Sequence, residues 1–159
     1  MEFEKYTERS RGFIQSAQSL ALRSSHQQLT PVHLLKVLLD DKEGLAATLI
    51  NASGGDAKKA LSDTEANLAR LPKVEGAGAG QVYIASETAK LFDQAERVSE
   101  KAGDGFVTVE RILLALVLAA GTPSAKIMAA AGVTAQAPVS GAGLAIDSYV
   151  RQLTPRMGL

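Results

Sequence analysis

The chain has 159 residues, 46% hydrophobic and 4% aromatic, with 17 basic and 17 acidic side chains and no cysteine. That is enough apolar material for one compact domain, or two small ones sharing a core, and too much for a disordered chain. Zero net charge argues against a nucleic-acid partner, whose phosphates call for a basic footprint, and the lack of cysteine removes disulfide and thiolate chemistry and is compatible with a cytoplasmic location.

The N-terminal "MEFEKYTERS" holds no apolar core of a secretory signal. The first amphipathic stretch carries Phe13, Ala17, Leu20 and Ser24 on one stripe, and Thr7 is placed to cap it. In "LTPVHLLKVLL" (29–39), Thr30 is the expected cap of a second helix, with Pro31 at the first helical position, where its missing N–H costs nothing. A third helix is expected over about Leu45–Ser53, stopped by Gly54 and Gly55. Asp56 opens a fourth, with Ala57, Leu61, Leu68 and Leu71 inward, ending at Pro72. "PKVEGAGAGQ" (72–81) reads as a Gly-rich linker.

The pattern then starts again. Residues 7–59 align without a gap on 85–137, a shift of 78 that puts Phe13 on Leu91, Ile14 on Phe92, Ala17 on Ala95, Leu20 on Val98, Thr30 on Thr108 and Gly54 on Gly132. A fifth helix with the stripe Leu91, Ala95, Val98 and Ala102 follows, then a sixth capped by Thr108 with Glu110 in its first turn. A seventh runs from the Thr122-Pro123 cap to Gly132. The expected fold class is all-α: two pseudo-symmetric repeats of about four helices each, repeat one over about 1–71, the linker over 72–81 and repeat two over about 82–137. "VYIA" (82–85) is the only β-like run, too short to form a sheet alone. Pro138 interrupts the eighth helix, leaving 138–159 as an atypical C-terminal linker with a short helix about 144–153.

Site chemistry is sparse. His26 and His33 are the only imidazoles and align with Asp104 and Arg111; they fall short of the three protein ligands a catalytic zinc usually takes and read as a loop and a helix-start histidine. "GAGAG" (76–80) and "GAGLAI" (141–146) lack phosphate-loop spacing, and no G-x-S-x-G elbow occurs. Asp40, Asp41 and Glu43 read as a solvated turn. Neither an enzyme nor a cofactor or metal site is expected in this chain. The longest apolar run, Ile112–Ala120, has nine residues; a membrane span needs ~20.

"AQSLAL" (17–22), "TPVHLLKVLLDD" (30–41), "RLPKVEG" (70–76) and "KAGDGFVTVERIL" (101–113), in that order, resemble the N-terminal domain of the Clp family of AAA+ unfoldases over residues 1 to about 137. "RLPKVEG" between the repeats is more similar to ClpB-type disaggregases than to the protease-linked ClpA and ClpC types. The resemblance implies a non-catalytic module above an ATP-driven hexameric ring, engaging unfolded or aggregated polypeptide before threading. ATP and Mg would belong to ATPase domains outside this chain, and an Hsp70-type chaperone is a candidate partner of the ring. It also implies substrate-protein binding at Thr7, Asp104 and Glu110. The alternatives are an adaptor-docking domain of a ClpA/ClpC-type unfoldase or a stand-alone Clp-N protein. "AIDSYVRQLT" (145–154) resembles the lead-in to a first ATPase domain. A client surface is expected as an apolar groove between the halves with a polar rim.

Overall fold

The computed structural model describes residues 3–74, 80–103 and 105–133. These form a 3-10 turn (Phe3–Lys5), seven helices and two short strands. The helices are α1 (Glu8–Arg23), α2 (Pro31–Leu39), α3 (Leu45–Ala52), α4 (Ala57–Ala69), α5 (Ser86–Lys101), α6 (Val109–Leu118) and α7 (Pro123–Ala130); the strands are β1 (Gln28–Leu29) and β2 (Tyr83–Ile84). The duplication holds residue for residue. Shifting α1 by 78 gives both ends of α5, and the same shift carries α3 onto α7; α2 and α6 begin in register, and α6 runs one residue further. Half of the expected linker (75–79), the second-half counterpart of α4, the segment 138–159 and Asp104 lie outside the described residues.

Four helix starts are closed by the predicted kind of cap. The Thr7, Thr108 and Thr122 hydroxyls accept from the backbone N–H of Ser10, Arg111 and Ala125, and the Asp56 carboxylate accepts from Lys58 and Lys59. α2 and α6 are apolar nearly all round and form the centre: α2 packs on α1, α3, α4, α5, α6 and α7, and α6 on α1, α2, α5 and α7.

The buried stripe of α1 is Ser10, Ile14, Ala17 and Ala21, one residue round from the expected Phe13–Ala17–Leu20–Ser24, leaving Phe13 and Leu20 half-buried. α5 shows the matching set, Thr88, Phe92, Ala95 and Ser99 with Leu91, while Val98 is half-buried and Ala102 exposed. On α4 the buried residues are Ala57, Ala60 and Thr64, and Leu61, Leu68 and Leu71 are only half-covered. Apolar periodicity misses these faces because hydroxyls are used inside. The Thr64 hydroxyl donates to Ala60 O at 2.6 Å, so burial leaves it satisfied.

Strand pairing is the main departure from expectation. β2, within the run read as too short to form a sheet alone, lies parallel to β1, with Gln28 opposite Tyr83 and Leu29 opposite Ile84. A second parallel bridge joins Tyr6 to Val107, and the shift of 78 converts one contact into the other. Each half therefore lends its leading extended segment to the other half. Thr7 N–H donates to Val107 O at 3.1 Å, and its counterpart Ala85 N–H donates to Leu29 O at 3.2 Å. The Ser10 hydroxyl donates to Val107 O at 2.9 Å, and the Thr88 hydroxyl to Leu29 O at 2.7 Å. The halves close further where α7 ends against the α3–α4 turn. There Asp56 N–H donates to Ala131 O at 2.8 Å, and a Cβ at Gly55 would stand 2.6 Å from Val133 Cγ2, so only glycine fits without displacement.

Candidate functional site

Of the three positions singled out from sequence, Thr7 adjoins the Tyr6–Val107 bridge and Glu110 is buried in α6. Thr7 caps α1 with its hydroxyl while its N–H holds the Val107 carbonyl. Glu110 follows three residues after Val107, in the first turn of α6, and is 1% exposed. It presents no surface to a partner in this conformation, and its Oε2 makes no hydrogen bond. Asp104 lies outside the described residues.

Tyr6, which the sequence reading did not single out, anchors the bridge. It is 1% exposed, stands edge-on to Phe92 at 5.9 Å between centroids and donates to Glu96 Oε2 at 2.9 Å. Burial and then the bond to Glu96 push its phenol well above the usual range. The alignment offered a signal, since Tyr6 falls on Ile84, the other bridge residue.

The two histidines are not independent. Thr30 N–H donates to His33 Nδ1 at 3.0 Å, and His33 Nε2 lies 2.9 Å from His26 Nδ1. The proton of neutral His33 is therefore on Nε2, given to His26, whose own proton is on its outer nitrogen. His33 is pushed down to about 4, by burial first and then by His26; burial, then Lys73, lowers His26. No group of three or more metal-ligating side chains occurs among the described residues.

Open surface differs between the halves. In the first half, the Arg9 guanidinium bonds Asp41 at 2.9 Å and Glu43 at 2.8 Å and lies over the Phe13 ring at 5.8 Å, strapping α1 to the turn after α2. The corresponding residues are Glu87, Ala119, Gly121 and Leu91. With the strap replaced, a cleft of about 410 Å³ opens between α5 and the α6–α7 turn, with Leu91 and Leu118 beside Glu87, Lys90 and Gln94. This cleft lies within the second half. A groove between the halves also exists, about 420 Å³, formed by Gln15, Gln18, Ser19 and Leu22 of α1 with Gly80 and Val82. Its polar side is amide and hydroxyl rather than charged, whereas the matching face of α5 carries Asp93, Glu96, Arg97 and Glu100.

Two interlocked helical repeats are the fold of the Clp N-terminal domains. Residues 5–131 match the family model for the Clp repeat (R) N-terminal domain, and the chain belongs to that family. It is 59% identical over 136 residues to the chaperone protein ClpB of Rhodopseudomonas palustris, covering 86% of this chain and 16% of that one. The ClpB of Mesorhizobium japonicum is 56% identical over 137 residues, with the same coverage. The chain thus spans about 16% of the length of these curated relatives. The solved Hsp104 N-terminal domain from Candida albicans shares the fold, with a TM-score of 0.74 at 18% identity over 98% of this chain and 93% of that one.

Proposed function

We propose that this chain is the client-receiving N-terminal module of a ClpB-type ATP-dependent disaggregase. Residues 1 to about 137 form the module and 138–159 lead toward the ring. The module does no catalysis: it holds unfolded or aggregated polypeptide in the cytoplasm while ATP and Mg are used by ATPase domains of a hexameric ring, with an Hsp70-type chaperone as the ring's partner. The identity to ClpB chaperones supports the assignment, and the second-half cleft is the observation that carries it.

The cleft offers what a transient receiver needs. Leu118, Ala119 and Ala120 give apolar contact, Glu87 and Lys90 supply charges of both signs at the rim, and about 410 Å³ is room for one or two side chains rather than a folded surface. A footprint this small gives weak, reversible binding, because much of the contact free energy is cancelled by lost motion of the client. The first half shows how to remove it. Glu87→Arg with Ala119→Asp transplants the Arg9–Asp41 strap into the second half. Binding of reduced, carboxymethylated α-lactalbumin to this double variant, measured by fluorescence anisotropy, is expected to fall at least several-fold with the circular dichroism and thermal midpoint unchanged. Undiminished binding contradicts the proposal.

A further inference from the structure

Parallel strands pair through alternate residues. Tyr83 N–H donates to Gln27 O at 2.8 Å and Ala85 N–H to Leu29 O at 3.2 Å, so Tyr83 and Ala85 face β1. Ile84, between them, turns its N–H and C=O to the outer edge of a sheet only two strands wide, where neither finds a partner among the described residues. The counterpart edge is shut: Tyr6 N–H donates to Phe3 O at 3.1 Å within the 3-10 turn, and Phe3 stands 6.5 Å from the Tyr6 ring. Tyr6 is 1% exposed, whereas Ile84 is 43%, Tyr83 53% and the nearby Leu22 48%. One bridge is plugged by the chain's own aromatic turn, and the other stands open beside the uncharged groove of α1.

We propose that the outer edge of β2 is a strand-addition site for an extended, uncharged segment of client polypeptide. The client's backbone pairs with the N–H and C=O of Ile84, and the groove at Leu22 and Val82 takes its alternate apolar side chains. The inference rests on the client-binding reading above and deepens it. Three observations select polypeptide as the occupant. The groups left without a partner among the described residues are one donor and one acceptor on the same strand edge, which complement another main chain. The groove lining carries no charge that would attract a phosphate. On the other half, the equivalent position is filled by a turn of chain bearing an aromatic side chain. Main-chain pairing is largely indifferent to sequence, as a receiver of many clients requires.

The test uses the full chain, ¹⁵N-labelled, with reduced, carboxymethylated α-lactalbumin as probe. The Ile84 amide is expected to exchange severalfold more slowly when the probe binds. Ile84→Pro deletes only the outward donor, since the N–H groups used toward β1 belong to Tyr83 and Ala85, and edge positions tolerate proline. It is expected to weaken binding roughly fivefold, the value of about one backbone hydrogen bond, while Ile84→Val binds as the parent does. Protection of the Ala85 amide reports that the β1–β2 pairing survives. If the parent chain binds the probe while the Ile84 amide stays unprotected, or Ile84→Pro binds equally well with the pairing intact, strand addition is wrong and the client-binding reading stands. If the parent chain does not bind the probe, both fail.

Discussion

The two halves of this molecule are alike where they touch each other and different where they face outward. At the interlock, Ser10 matches Thr88 and Leu29 matches Val107, and each hydroxyl donates to a carbonyl of the other half. A change there must be answered across the interface, so the pairing constrains both copies. On the outer faces no such partner exists, and the copies have separated: Arg9, Asp41 and Glu43 close one cleft, and Glu87, Ala119 and Gly121 leave the other open. Duplication supplies the rigid frame, and its local failure opens the second-half cleft.

Removing matched core residues should give the largest effects. Phe92→Ala is expected to destabilise by about 3–5 kcal/mol and Ile14→Ala by about 2–5 kcal/mol in denaturant unfolding. Phe92 should cost more, because it also carries the edge contact with Tyr6. Equal losses would mean that the Tyr6 plug adds nothing to the first bridge.

The acid response should separate the halves next. His33, with a pKa of about 4, lies below the ~6.5 of an unfolded histidine, so the unfolded chain takes up a proton first as pH falls. Stability held above pH ~6.5 is then lost progressively toward pH 4. The second half has no equivalent, since its matching residues are Asp104 and Arg111. His33→Gln keeps an acceptor for the Thr30 N–H in the manner of a capping box and should flatten this part of the pH profile of the thermal midpoint.

The reciprocal hydroxyls are expected to matter modestly and equally. Ser10→Ala and Thr88→Val should each cost about 1 kcal/mol, because each carbonyl keeps a backbone N–H from Thr7 or Ala85. Strongly unequal losses would break the symmetry of the interlock. The smallest effect belongs to the Arg9 strap: Arg9→Ala should cost at most about 1 kcal/mol, less in high salt.

Much of the frame was legible. Threonine caps at 7, 108 and 122 mark three helix starts, and Gly54 and Gly132 lie two residues past the ends of α3 and α7, because capping and backbone freedom are local. α4, by contrast, ends at Ala69, short of the expected stop at Pro72. The bridges were not legible: two residues carry no period, and the partner of Tyr83 is fixed by the three-dimensional return of the chain. The buried faces were missed by one residue because Ser10 and Thr88 hide hydroxyls that apolar patterning counts as solvent-facing. The histidine pair was missed because Thr30 orients His33 toward a loop residue on a different element. Even so, the aligned sequences already carried the asymmetry of the clefts at Arg9 and Glu87, once the fold shows that those positions face outward.

The most direct test places a photocrosslinking benzoylphenylalanine at Ala120, on the open cleft, or at its exposed counterpart Lys42, and illuminates each full chain with reduced, carboxymethylated α-lactalbumin. Adducts from position 120 with few or none from position 42 are predicted. Equal yields from both, or adducts from position 42 alone, would contradict the claim that the broken half of the duplication receives the client.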